Sequence, residues 1–143
     1  MSFVQSRLRL SSLRNEDLIR RVPAIMTAYG KALDQQLKEE IRTERYTWPG
    51  ETRRRNGETV TSPRDIVDTG AFLRSQRRRR INLTTIRFEW GGSGGVTYAG
   101  YIYQGIPGKA YPPRDWIKPA LDALPIGTFF AREWRRLQNT ARL

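Results

Sequence analysis

The chain contains no cysteine and no histidine. The first absence excludes a disulfide framework, and the two together exclude zinc sites built from Cys and His. Without imidazole, the Ser–His–Asp triad and every His-based acid–base mechanism are excluded as well. Only carboxylate, Tyr, Lys, Ser or Thr chemistry remains. Lysine itself is scarce, with four residues against 22 arginines. Long apolar runs are missing too. The opening MSFVQSRLRLSS has no stretch that reads as a signal peptide. Residues 90–108 carry no charge over nineteen positions, but seven of these are Gly and one is Pro. Such a segment reads as turns and short strands, not as a membrane helix. We therefore expect a soluble protein, with no membrane partner, acting where it is made.

What the sequence has in excess is positive charge: 26 basic against 14 acidic residues in 143, a formal net charge of +12. This surplus implies a polyanionic neighbour, either nucleic acid or an acidic protein surface. Arginine dominance favours fixed, bidentate contacts with phosphate or carboxylate over a loose cationic tail. The charge is unevenly spread. Residues 15–45 balance six acids with six bases, whereas residues 46–80 hold nine Arg against four acids. Two runs stand out, Arg53-Arg54-Arg55 and Arg77-Arg78-Arg79-Arg80.

Along the chain, residues 1–14 are basic and weakly patterned, and read as an N-terminal arm. Residues 15–143 read as a single α+β domain. Its first element is a long amphipathic helix over 15–42, with Leu18, Val22, Ile25, Tyr29, Leu33, Leu37 and Ile41 recurring every three or four positions and Asn15 as the cap. Pro23 either kinks this helix or opens its longer part. Residues 46–67 read as a mobile loop; a hairpin turning at Asn56-Gly57 is the alternative, disfavoured because its flanks are charged and do not alternate. Asp68 or Thr69 caps a short helix at 71–75. Thr85–Trp90 alternates as a strand, with Ile86, Phe88 and Trp90 on one face. Val96–Tyr103 reads as a further strand after the glycine cluster 91–95. Pro119 and Pro125 open two C-terminal helices, the second with Ile126, Phe129, Phe130, Trp134 and Leu137 on one face. The expected architecture has the long N-terminal and the C-terminal helix packed on a small antiparallel β-sheet, with a long basic loop.

Three segments occur in a defined order: Asp68-Thr69-Gly70-Ala71-Phe72-Leu73-Arg74-Ser75, then Tyr98-Ala99-Gly100-Tyr101-Ile102-Tyr103-Gln104-Gly105, then Pro113-Arg114-Asp115-Trp116-Ile117-Lys118-Pro119-Ala120-Leu121. In that order they resemble the tail-completion or head–tail joining family of long-tailed bacteriophages. The resemblance spans roughly residues 18–140, and its specific part lies within residues 68–121. Asp115 stands where that family commonly has proline. The resemblance implies an α+β subunit assembling as a ring, usually of six, around the axial DNA channel of the phage neck or the head-proximal tail end. It implies as partners further copies of the chain, an adjacent neck ring (stopper or connector), tail-tube or tail-terminator proteins, and packaged double-stranded DNA contacted without regard to sequence. It places the chain in the virion, and in the host cytoplasm during assembly. Asp68, Thr69, Gly70, Leu73, Tyr98, Ala99, Tyr101, Gly105, Arg114, Trp116 and Pro119 become the motif and subunit-packing residues.

For the arginines two readings stay open. Arg53–Arg55 either line the channel or reach a neighbouring ring, or they form a solvated loop. In a strand, alternate members of Arg77–Arg80 face opposite sides, so two contact phosphate while two pair with a neighbour's carboxylates, or else all four guard a sheet edge. The carboxylate groups Asp65/Asp68 and Glu39/Glu40/Glu44 lack the setting of a metal or catalytic site. We expect no enzyme, no metal and no cofactor. The competing expectation is a monomeric, non-specific nucleic-acid-binding accessory protein.

Overall fold

A computed structural model describes residues 2–7, 16–92, 98–106, 108–109 and 111–141, and the side chains of residues 20–92, 98–106, 108–109 and 111–139. The fold is α+β. Its elements are β1 (Ser2–Arg7), α1 (Glu16–Arg42), β2 (Thr52–Arg53), β3 (Thr59–Val60), α2 (Ala71–Arg74), β4 (Arg77–Asn82), β5 (Thr85–Trp90), α3 (Ala99–Gln104), α4 (Ile117–Ala123) and α5 (Ile126–Ala141). Asn15 as a cap and the side chain of Leu18 lie outside the described residues.

Helix α1 runs through Pro23 as one continuous element. Its stripe of Val22, Ile25, Met26, Tyr29, Leu33, Leu37 and Ile41 is buried throughout and forms the spine of the core. The sheet offers Ile86, Phe88 and Trp90 of β5 to this core, all buried, as strand alternation requires. Helix and sheet approach closely at Gly30, where a Cβ would lie 2.9 Å from Ile86 Cδ1. Helices α4 and α5 pack against α1. Tyr29 donates its hydroxyl proton to the Leu124 carbonyl (2.9 Å) and meets Phe129 edge-on at 5.3 Å. Phe129 is buried, while Ile126, Phe130, Trp134 and Leu137 pack against the core half-exposed.

The sheet is antiparallel with strand order β1-β5-β4, which corrects two expectations. Residues 2–7, read as part of a basic arm, form an edge strand on β5, with Ser2 opposite Trp90 and Arg7 opposite Thr85. With β4 on one edge of β5, the other edge presents unsatisfied backbone groups, and β1 pairs with them. The segment Val96–Tyr103, read as a strand, instead contributes helix α3 over Ala99–Gln104; Val96 and Thr97 lie outside the described residues. Burial of Ala99 and Ile102 three positions apart gives this helix its inner face, and Gly105, at φ 74°, ends it. A side chain at Gly105 would put its Cβ 2.7 Å from the Tyr111 carbonyl oxygen, so the chain can turn there only with glycine.

One buried polar residue joins these layers. Gln76 donates to the Asp34 carbonyl and to Asp34 Oδ1 in α1, both at 2.9 Å, and accepts from Trp90 Nε1 of β5 at 3.0 Å. Ser75 next to it accepts from the Gly91 backbone N–H (3.0 Å) and donates to the Phe72 carbonyl (2.6 Å). Gln76→Leu keeps the bulk but leaves the Trp90 indole N–H without an acceptor, a loss of about 2–3 kcal/mol. Urea unfolding followed by Trp fluorescence should show that drop with an unchanged denaturant slope.

Candidate anion-binding surfaces

The two arginine runs divide by position. In β4, Arg78 lies opposite Phe88 and Arg80 opposite Ile86, so both sit on the core side of the sheet. There Arg78 donates to the Gly30 carbonyl (3.2 Å) and lies 3.7 Å from Asp34 Oδ2. Arg80 donates to the Pro23 carbonyl (2.8 Å) and to Thr27 Oγ1 (2.9 Å). Both arginines remain exposed, but the acceptors they use within the chain lie in α1. Arg77 and Arg79, opposite Glu89 and Arg87, belong to the outer face; Arg77 donates to the Gly91 carbonyl at 3.0 Å.

Residues 46–67, expected as a mobile loop, are a hairpin turning at Asn56-Gly57, with Gly57 at φ 89°. Side chains supply what apolar alternation does not. Asn56 Oδ1 accepts from the Glu58 N–H and its amide donates to the Asp68 carbonyl, both at 2.9 Å. Asp68 Oδ1 accepts from the Arg55 N–H at 2.9 Å. Asp68 is thus the hairpin's tether and not the cap of α2. The N-cap position of α2 is Gly70, at φ 85°, with Thr69 Oγ1 accepting from the Ala71 N–H at 3.3 Å. At the hairpin base Tyr46 and Arg64 exchange two backbone hydrogen bonds of 2.9 Å. Arg53 and Arg55 are exposed and line the cleft described below, whereas Arg54 turns in, its Nη1 2.7 Å from Asp65 Oδ1 and its Nη2 donating to the Asp65 carbonyl at 2.9 Å.

Arg54 belongs to a cluster that the charge runs did not reveal. Arg64, only 5% exposed, donates to the carbonyls of Thr61, Gly50 and Val60 at 3.0–3.2 Å. Its guanidinium carbon lies 5.3 Å from the Trp48 ring centre, and that of Arg114 lies 4.6 Å from it. Trp48 stacks on Tyr111 at 5.1 Å. Burial, and then the charges of Arg64 and Arg54, pull the Arg114 guanidinium down to about 10. Arg64 is likewise lowered, by burial and then by Arg54. These groups edge a cleft of about 400 Å³ whose remaining wall includes Ile66, Phe72, Leu73, Tyr98 and Ile102. The only sequence signal for the cluster is Trp48 among scattered arginines, since Arg54, Arg64 and Arg114 are brought together by the fold.

The three motif segments also converge. Phe72 meets Trp116 edge-on at 5.0 Å, Tyr103 meets it at 5.8 Å, and Tyr98 lies 6.4 Å from Phe72. The Arg114 N–H donates to the Ile102 carbonyl at 2.8 Å. Ala99 and Trp116 are buried, Leu73 and Pro119 half-buried, and Tyr101 exposed. Asp115 caps α4 by accepting from the N–H groups of Ile117 (2.8 Å) and Lys118 (3.1 Å).

Of the carboxylates singled out above, Asp65, Asp68, Glu39 and Glu40 are engaged in structure. Asp65 serves Arg54 and accepts from the Val67 N–H (3.1 Å), Glu40 pairs with Arg45, and Glu39 with Arg42 (3.4 Å). Among the described residues no group of three or more Asp or Glu is placed to hold a metal ion, and no helix is long and apolar enough to cross a membrane. No protein-family model, no curated protein and no solved structure matches this chain.

The base of the hairpin gives a pH test. Tyr46 donates to the Glu40 carbonyl (2.7 Å), and burial pushes its hydroxyl well above the ordinary phenol range. Above pH about 10 the unfolded chain ionises this phenol while the folded chain keeps its proton, so stability falls as pH rises. Tyr46→Phe removes that contribution. In thermal melts from about pH 9 to about pH 11, the difference between variant and wild type should move steadily in favour of the variant.

Proposed function

We propose that this chain is a virion structural protein of the phage neck, forming a homo-oligomeric ring, of six copies by the family resemblance, that joins head to tail or completes the head-proximal end of the tail tube. The observation that carries the reading is the packing of the three ordered motif segments into one unit around Trp116. Residues drawn from 68–75, 98–105 and 113–121 meet there, as expected if the series marks one structural module and not three chance matches.

Two surface features support an assembled subunit. Tyr98, Tyr101, Tyr103 and Tyr111 are exposed, as are Ile81 and Leu83 at the β4–β5 turn. Tyrosine is enriched at protein interfaces because its ring buries area while its hydroxyl keeps a hydrogen bond. The exposed Arg53, Arg55, Arg77 and Arg79 suit sequence-blind contact with phosphate along the channel, or with acidic residues of the next ring. A ring of subunits each carrying +12 repels itself unless polyanions offset the charge.

Sedimentation velocity and negative-stain imaging of the purified protein, alone and mixed with tail-less heads and headless tails, test the proposal. Rings, or monomers that become rings on a head or tail, are the expected result. Monomers that join neither particle would sink it, and if they also bound duplex DNA the accessory-protein reading would take its place. Arg53→Ser, Arg55→Ser, Arg77→Ser and Arg79→Ser combined should leave assembly intact. The slope of log affinity for duplex DNA against log salt should shrink by about 0.9 for every phosphate that these changes leave unneutralised.

A further inference from the structure

We infer that the cleft between the β2–β3 hairpin and helices α2 and α3 receives an acidic peptide segment of a partner protein, with a carboxylate held by Arg114 beside Trp48 and an apolar side chain against Phe72 and Ile102. The inference rests on the cleft itself and stands whether or not the chain forms a ring.

The charges at this site do not balance. Arg54 is matched by Asp65, and Arg64 spends its donors on three neutral carbonyls. Arg114 lies over the Trp48 face, and its buried Nε–H has no hydrogen-bond acceptor among the described residues. Asp68, an acid on the cleft wall, already accepts from the Arg55 N–H. A guanidinium withdrawn from water without an acceptor is costly, and a carboxylate delivered to it recovers a charge-assisted, bidentate pair. Burial first, and then the charges of Arg64 and Arg54, lower the proton affinity of Arg114.

The shape selects a peptide over nucleic acid. A volume of about 400 Å³ falls within the range of small-ligand pockets and holds one or two side chains. Phe72 and Ile102 make part of its wall apolar, which a sugar–phosphate backbone would leave unused. Phosphate tracks of a duplex suit the exposed Arg77 and Arg79 of the sheet, which lie outside the cleft, whereas Arg53 and Arg55 line it and add to the positive charge that an acidic peptide meets. Trp48 and Tyr111, stacked at 5.1 Å, offer a flat support that holds the Arg114 fork in one plane.

The test titrates the full-length protein with acetyl-Glu-Asp-Phe-Glu-Leu-amide, with its neutral counterpart acetyl-Gln-Asn-Phe-Gln-Leu-amide, and with a short random-sequence duplex. Arginine Nε–H signals in proton–nitrogen correlation spectra provide the readout, Arg114 being assigned by its loss in Arg114→Lys. The acidic peptide should shift the Arg114 signal saturably and bind at least about tenfold more tightly than the neutral one, a difference of about 1.4 kcal/mol. Arg114→Met should abolish that preference without weakening the neutral peptide; if this variant does not fold, the wild-type titration decides alone. Equal affinity for the two peptides, or an Arg114 signal unmoved at saturating peptide, would overturn the inference. So would displacement of the peptide by the duplex with the same signals shifted, which would make the cleft a nucleic-acid site.

Discussion

The Gln76 side chain fixes the arrangement on which the rest depends. It reads the backbone of α1 through the Asp34 carbonyl and the indole of β5 through Trp90, so the chain entering β4 has one admissible orientation. Strand geometry then assigns each arginine to a face. With side chains alternating along β4, Arg78 and Arg80 fall on the core side, and Arg77 and Arg79 on the other. A one-residue slip would exchange the two sets and put four cationic heads in the wrong places. A tetra-arginine run with no apolar residue to set its register needs such a pin, and a buried amide bonded on both sides supplies it.

Once the register is set, the charge surplus divides into two populations. Arg54, Arg64, Arg78 and Arg80 act within the fold, donating to backbone carbonyls or pairing with Asp34 and Asp65. Lysine does this poorly, because one ammonium cannot present the planar fork with which Arg64 satisfies three carbonyls. The preference for arginine over lysine in composition is therefore partly architectural. Four of the seven arginines in the two runs, Arg53, Arg55, Arg77 and Arg79, lie on the outward side.

The sequence made legible whatever is periodic. The α1 stripe, the alternation of β5 and the apolar face of α5 follow from spacing, and the core contains them. Pairings that carry no period were not legible. β1 is short and weakly patterned, and only the open edge of β5 calls for it. The hairpin at 46–67 has polar flanks and is closed by Asn56, Asp68 and the Tyr46–Arg64 bridge, three long-range or side-chain devices invisible to a pattern count. The aromatic-rich stretch ending at Tyr103 suits a strand by propensity, but Ala99 and Ile102 are buried together at helical spacing, and tertiary packing overrides propensity there. Of the candidate site, both arginine runs were visible, while the cluster of Arg54, Arg64 and Arg114 joins residues from three separated segments.

The same logic explains why the cluster sits where it does. The turn at Gly105 brings the segment 111–116 back past α3, where the Arg114 N–H meets the Ile102 carbonyl and Trp116 drops into the core. Fixing residue 116 inward and residue 115 as the cap of α4 leaves Arg114 facing the hairpin, whatever its charge. The hairpin in turn is held by Arg64, whose carbonyl bonds tie it together. Two arginines placed by separate structural demands thus come to share the Trp48 ring, and burial, with the charge of Arg64 added to it, lowers the hold of Arg114 on its proton. A neutral residue at 114 would preserve the turn, the cap and the buried tryptophan, and would forgo only the contact of the guanidinium with the Trp48 face. The buried Nε–H of Arg114 is the donor of this cluster that the fold leaves without an acceptor among the described residues.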